Sequence, residues 1–134
     1  MENKDKEMFR ENRKSLKRFT ESFGYAGEGI RYAFYHEKNI IVMFIMGIIA
    51  IIMGLICNIS YIERLVIILL IGMILSLELL NTAIEAVVNL HDGEKRSKYG
   101  KIAKDCASGA VAIASIFAFI IGLIVFIPHI VSLF

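Results

Sequence analysis

Glu78, Asn81, Thr82 and Glu85 stand at i, i+3, i+4 and i+7 in an otherwise apolar stretch. In a helix that spacing gathers all four side chains on one face. Ionisable groups among lipid tails are expensive unless paired or wetted, so they mark sites of function. A single asparagine is commonly polar glue between helices; two glutamates and an asparagine on one stripe point to chemistry. Carboxylates gathered this way repel one another and need a cation. The matching ion is a hard divalent one such as Mg²⁺, which typically takes one or two carboxylates together with substrate phosphates. The deeper, drier Glu78 is the candidate general base for a hydroxyl presented from the lipid side.

The elements that must position this stripe follow from the distribution of apolar residues. Hydrophobic side chains make up 57% of the 134 residues, with one proline, against about 45–50% in soluble domains. Residues 40–57 are eighteen uncharged positions, about 27 Å of helix and enough to cross a bilayer core. Residues 65–90 make a second helical pattern of about 39 Å, longer than the membrane is thick. A third apolar run covers about 107–127, ahead of Pro128. The expectation is an all-α integral membrane protein forming one domain over 1–134. Its spans are placed at 37–58, 65–90 and 101–128, behind an N-terminal segment, 1–36.

In that segment Phe9, Leu16, Phe19 and Phe23 fall on one helical face, with Arg10, Arg13, Lys14 and Lys17 mostly elsewhere. The pattern fits a basic amphipathic helix in the headgroup plane or a helix packed on its own protein. Gly24, Gly27 and Gly29 follow no strand and so make no nucleotide fingerprint; they predict a bend between two helices. Residues 91–100 read as a charged loop. No secretory signal peptide is expected, because the charged N-terminus has no early apolar core.

Fourteen of the fifteen Lys and Arg residues lie in the first 38 positions or in 89–105, and only Arg64 lies in the turn between the first two spans. The positive-inside rule then puts the N-terminus in the cytoplasm and the C-terminus outside. A net charge of +2 gives no argument for nucleic acid. Cys57 and Cys106 should face opposite membrane surfaces, which rules against a bridge within one chain.

The same topology brings Glu37, Glu85 and Asp105 to the cytoplasmic surface, with Asn81 and Glu78 progressively deeper. Lys104, Arg18 and Arg31 could donate to phosphate oxygens there. A water-soluble phosphate donor above and a lipid alcohol below would meet at the interface. A small transporter or channel would also use intramembrane glutamates, but the outer halves of all three spans are nearly featureless. A non-catalytic adaptor would leave the carboxylates unexplained. No Walker lysine motif, kinase glycine-rich loop or His-Cys metal cluster is present in the sequence.

The run Glu78-Leu-Leu-Asn81-Thr-Ala-Ile-Glu85-Ala-Val-Val, followed by Ala103-Lys104-Asp105, resembles the prokaryotic diacylglycerol kinase family, which includes the undecaprenol kinases of Gram-positive bacteria. The similarity runs from Arg18 to Pro128. It implies a three-span homotrimer in the bacterial cell membrane, with an N-terminal surface helix and active sites shared between subunits, using Mg²⁺-ATP to phosphorylate a lipid hydroxyl. It further implies Glu78 as catalytic base and Glu37 and Glu85 as holders of the metal, with Asn81 in support. Arg18, Tyr25, Lys104 and Asp105 match nucleotide contacts, and Ser108 matches a position near the lipid. Two departures stand out. Asn89 replaces an aspartate usual in the family, and the loop 91–99 is about one residue longer and lacks the usual Tyr-His pair. The runs Ala103-Lys-Asp-Cys-Ala-Ser-Gly-Ala-Val and Gly122-Leu-Ile-Val-Phe-Ile-Pro128 are similar to the Gram-positive branch. That branch implies undecaprenol as acceptor and undecaprenyl phosphate as product, with diacylglycerol as the alternative.

Overall fold

A computed structural model describes residues 2–93, 95 and 97–132, without the side chains of residues 2–10 and 12. Phe9 and Arg10 therefore lie outside the described side chains, and Arg96 outside the described residues. The helices are α1 (Glu2–His36), α2 (Lys38–Ile56), α3 (Tyr61–Asp92) and α4 (Lys98–Val131). Residues 1–36 and 37–134 form two compact units.

In the first unit, α1 is one uninterrupted helix, and the bend expected at Gly24–Gly29 is absent. Isolated glycines lower helix stability by about 1 kcal/mol each relative to alanine. Breaking a helix takes a proline or a competing cap, and residues 20–36 contain no proline. Leu16, Phe19 and Phe23 are all exposed, and the Phe19 and Phe23 rings meet edge-to-face with centroids 5.0 Å apart.

The second unit is built around α3, which packs against both α2 and α4. All three helices are long and apolar enough to cross a membrane. With 19, 32 and 34 residues, they run about 28, 48 and 51 Å. The two longer ones must therefore project polar turns beyond a hydrocarbon core about 30 Å thick. Far from the acidic stripe, Ile59, Ile67, Val125 and Phe126 form a buried cluster, with Met53, Cys57 and Ile121 against it. Cys57 and Cys106 are both free thiols.

Residue choice fixes where α3 begins. Ser60 and Glu63 form a reciprocal capping box: the Glu63 N–H donates to Ser60 Oγ at 3.3 Å, and the Ser60 N–H donates to Glu63 Oε2 at 2.8 Å. The same Glu63 carboxylate lies 3.6 Å from His129 Nε2 on α4. Helix α4 continues through Pro128 to Val131 rather than ending before it.

The α3–α4 connection is tighter than the sequence suggests, because α3 runs to Asp92 and α4 starts at Lys98. Asp92 accepts from the Ser97 N–H at 3.0 Å and from Ser97 Oγ at 2.8 Å, while Ser97 Oγ accepts from the Gly100 N–H at 2.9 Å. Gly93 caps α3 at φ +54, in the half of backbone space that glycine enters at least cost. A Cβ on Gly100 would run into the Asp92 carboxylate and lie 2.9 Å from Val88 Cγ1. Gly100→Ala is therefore expected to destabilise the protein by about 1–3 kcal/mol. Gly109→Ala, which meets open space, should be neutral or stabilising by up to about 1 kcal/mol. Thermal unfolding of both variants in detergent checks the pair, and equal melting temperatures would contradict it.

Candidate functional site

The charged stripe lies on the buried face of α3. Glu78, Asn81 and Thr82 are the buried polar residues of the described chain, with Glu78 only 2% exposed. The charge-free run 65–77 measures about 20 Å of helix, less than the core thickness, so Glu78 enters the apolar layer below its boundary. Asn39 in the first turn of α2 reaches it with a side-chain hydrogen bond, and the charges of Glu37 and Glu85 act on it. Glu37 and Glu85 are themselves half-buried. Thr82 returns its hydroxyl to the Glu78 carbonyl at 3.0 Å and so does not engage the carboxylate.

Why α3 tolerates this burial follows from α4. The Asn89–Lys104 contact near the connection and the Ile67–Val125 cluster far from it fix one antiparallel register along the hairpin. That register sets Ala107, Val111 and Ala114 of α4 level with Glu85, Asn81 and Glu78. All three α4 residues are buried, and the small Ala107 and Ala114 allow close approach of the backbones. Alanines recur along α4 at 103, 107, 110 and 114, and this row divides. Ala107 and Ala114 face inward, while Ala110 is exposed.

Asn81 Oδ1 is buried with no hydrogen-bond partner among the described residues. An unsatisfied buried acceptor costs about 1–3 kcal/mol, so this oxygen calls for a donor or a cation. Among the described residues, no three His, Cys, Asp or Glu side chains converge on a metal position. Glu37, Glu85 and the orphaned Asn81 amide oxygen offer hard, oxygen-only donors. Such a set fits a divalent cation whose remaining ligands come from phosphate and water.

Above the stripe, where α3 and α4 project from the apolar layer, an open cleft of about 830 Å³ is lined by Asn89, Asp92, Lys98, Lys101, Lys104 and Asp105, among others. Lys104 Nζ donates to Asn89 Oδ1 at 2.7 Å. Ser108 is exposed, one helical turn further along α4, and its hydroxyl donates to the Asp105 carbonyl at 3.2 Å. The second unit therefore gathers Glu37, Glu78, Asn81 and Glu85 into one group and Lys104 and Asp105 into the cleft. Arg18 and Tyr25 lie on α1, in the first unit, where both are exposed.

Sequence reasoning missed Asn39, whose signal was a lone amide at the head of an apolar block. It also missed the Asp92–Ser97–Gly100 clasp, signalled only by a serine three residues before a glycine at a helix start.

Residues 24–126 match the family model described as prokaryotic diacylglycerol kinase. The chain is 41% identical to the undecaprenol kinase of Bacillus subtilis over 119 residues, which cover 89% of this chain and 96% of that protein. It is 39% identical to the diacylglycerol kinase of Synechocystis sp. over 112 residues, 84% of this chain and 64% of that one. With the diacylglycerol kinase of Escherichia coli K12 the identity is 30% over 118 residues, 88% of this chain and 96% of the other.

Proposed function

The chain belongs to the prokaryotic diacylglycerol kinase family and is a membrane lipid kinase. From that premise we propose that it transfers the γ-phosphate of ATP to the hydroxyl of undecaprenol, giving undecaprenyl phosphate. The reaction takes place at the cytoplasmic face of a bacterial cell membrane. The observation that carries this reading is the arrangement along α3: a buried Glu78 and Asn81 below and an open, lysine-bearing cleft above. A lipid alcohol reaches the first from the apolar layer, and a nucleotide reaches the second from water.

In this reading the whole chain is one kinase domain with α1 as a surface helix, and Arg18 and Tyr25 are proposed as nucleotide contacts on the family resemblance alone. Glu37 and Glu85, with Asn81, would hold Mg²⁺. The chemistry supplied by the bound cation is neutralisation of phosphate charge. Lys104 and Asp105 bind the nucleotide, and Ser108 lies by the lipid. Phosphoryl transfer has a loose transition state, so alignment and charge neutralisation outweigh proton abstraction. Glu78 orients the lipid hydroxyl and takes its proton late. The assembly proposed from the family resemblance is a homotrimer with active sites shared between subunits; the exposed apolar surface of the spanning helices is open to lipid and to neighbouring subunits alike.

Undecaprenol is chosen over diacylglycerol on the 41% identity to the Bacillus subtilis enzyme. The identities to proteins named diacylglycerol kinase make diacylglycerol the competing acceptor. Purified protein with Mg²⁺-ATP is expected to phosphorylate undecaprenol faster than diacylglycerol at equal mole fraction in mixed micelles. The reverse ratio overturns the acceptor, and no turnover with either overturns the reaction.

A further inference from the structure

Lys104 does not hang free along the cleft. Its Nζ donates to Asn89 Oδ1 at 2.7 Å, a side-chain contact joining α3 to α4 within the cleft lining. Asn89 lies one helical turn beyond Glu85, on the same side of α3 as the acidic stripe. An ammonium group carries three donors, so this bond fixes the long lysine side chain and leaves two donors for another acceptor.

The identity of the acceptor matters because an amide and a carboxylate have nearly the same shape and differ in charge. The described lining holds three lysines and two aspartates. Asp92 is engaged with Ser97, so its carboxylate is turned to the helix connection. An aspartate at position 89 would form an ion pair with Lys104 and balance the cleft, three charges of each sign. With asparagine there, the cleft keeps an excess positive charge.

We infer that Asn89 is a positioning residue for the nucleotide: it orients the Lys104 ammonium group without neutralising it. The inference rests on the proposed reading of Lys104 as a nucleotide contact. Asn89 acts through Lys104 alone and has no direct part in the transfer.

The test measures kcat and KM for ATP with the full chain in lipid micelles, comparing wild type with Asn89→Asp, Asn89→Leu, Lys104→Gln and the Asn89→Leu/Lys104→Gln double variant. Lys104→Gln is expected to raise KM. Asn89→Asp, which keeps the acceptor and adds the charge, should raise KM about three- to ten-fold with a smaller effect on kcat. The increase should shrink as salt screens the added charge. Asn89→Leu should raise KM only when Lys104 is present, the non-additivity expected of two residues acting as one. If Lys104→Gln raises KM but both Asn89 variants keep the wild-type value, the inference is overturned and the reading of Lys104 stands. If Asn89→Leu lowers kcat and melting temperature with KM unchanged, its role is structural only, which also overturns it. A wild-type KM in Lys104→Gln overturns the reading of Lys104, and the inference falls with it.

Discussion

Glu78→Gln is expected to lower lipid phosphorylation by on the order of 10² or more, the span of general base catalysis, while ATP affinity stays within about two-fold. Glutamine keeps the volume of the buried side chain, and its amide oxygen still accepts from Asn39, so the bond that holds Glu78 in place survives. What disappears is the capacity to take a proton from the lipid hydroxyl. The change should also stabilise the fold, because a buried carboxylate costs more to desolvate than a buried amide. A higher melting temperature with lost turnover separates removal of a catalytic group from damage to the bundle. Transfer of labelled phosphate to lipid, ATP titration and thermal unfolding make the three readings. Wild-type turnover in this variant would remove Glu78 from the role of base.

Much of this site is legible in the residues because helix period and membrane solvation act locally. The spacing of Glu78, Asn81, Thr82 and Glu85 alone places them on one face, and the scarcity of charge in apolar runs makes that face conspicuous. Three spanning helices follow from the same hydropathy. Contacts that depend on register between helices are not legible. Nothing near Asn39 says that it reaches Glu78, since this depends on where the turn between α2 and α3 sets one helix against the other. Asn89 stands out in the sequence only as a departure from the family pattern; its bond to Lys104 exists because the Asp92–Ser97 clasp fixes the hairpin. The continuity of α1 is a different failure. Glycine spacing is a weak signal, and a cost near 1 kcal/mol per glycine is small beside the cooperativity of a long helix.

Glu85→Gln should act on binding where Glu78→Gln acts on turnover. Glu85 is half-buried between the buried stripe and the cleft, and its charge is felt at Glu78. Removing that charge leaves the group formed by Glu37, Asn81 and Glu85 with one carboxylate. The orphaned Asn81 oxygen cannot replace the lost carboxylate, because a neutral amide offers a dipole in place of a charge. Affinity for ATP in the presence of Mg²⁺ is expected to fall about ten- to a hundred-fold, which is about 1.4–2.8 kcal/mol, while affinity without Mg²⁺ should hardly change. By linkage, the affinity that each ligand gains from the other must shrink by the same factor, so raising the Mg²⁺ concentration should recover part of the loss. Calorimetric titration of ATP with and without Mg²⁺ reads this difference directly. If the Mg²⁺-dependent gain in affinity survives in Glu85→Gln, the cation is held elsewhere, and Glu85 is left shaping the field around Glu78.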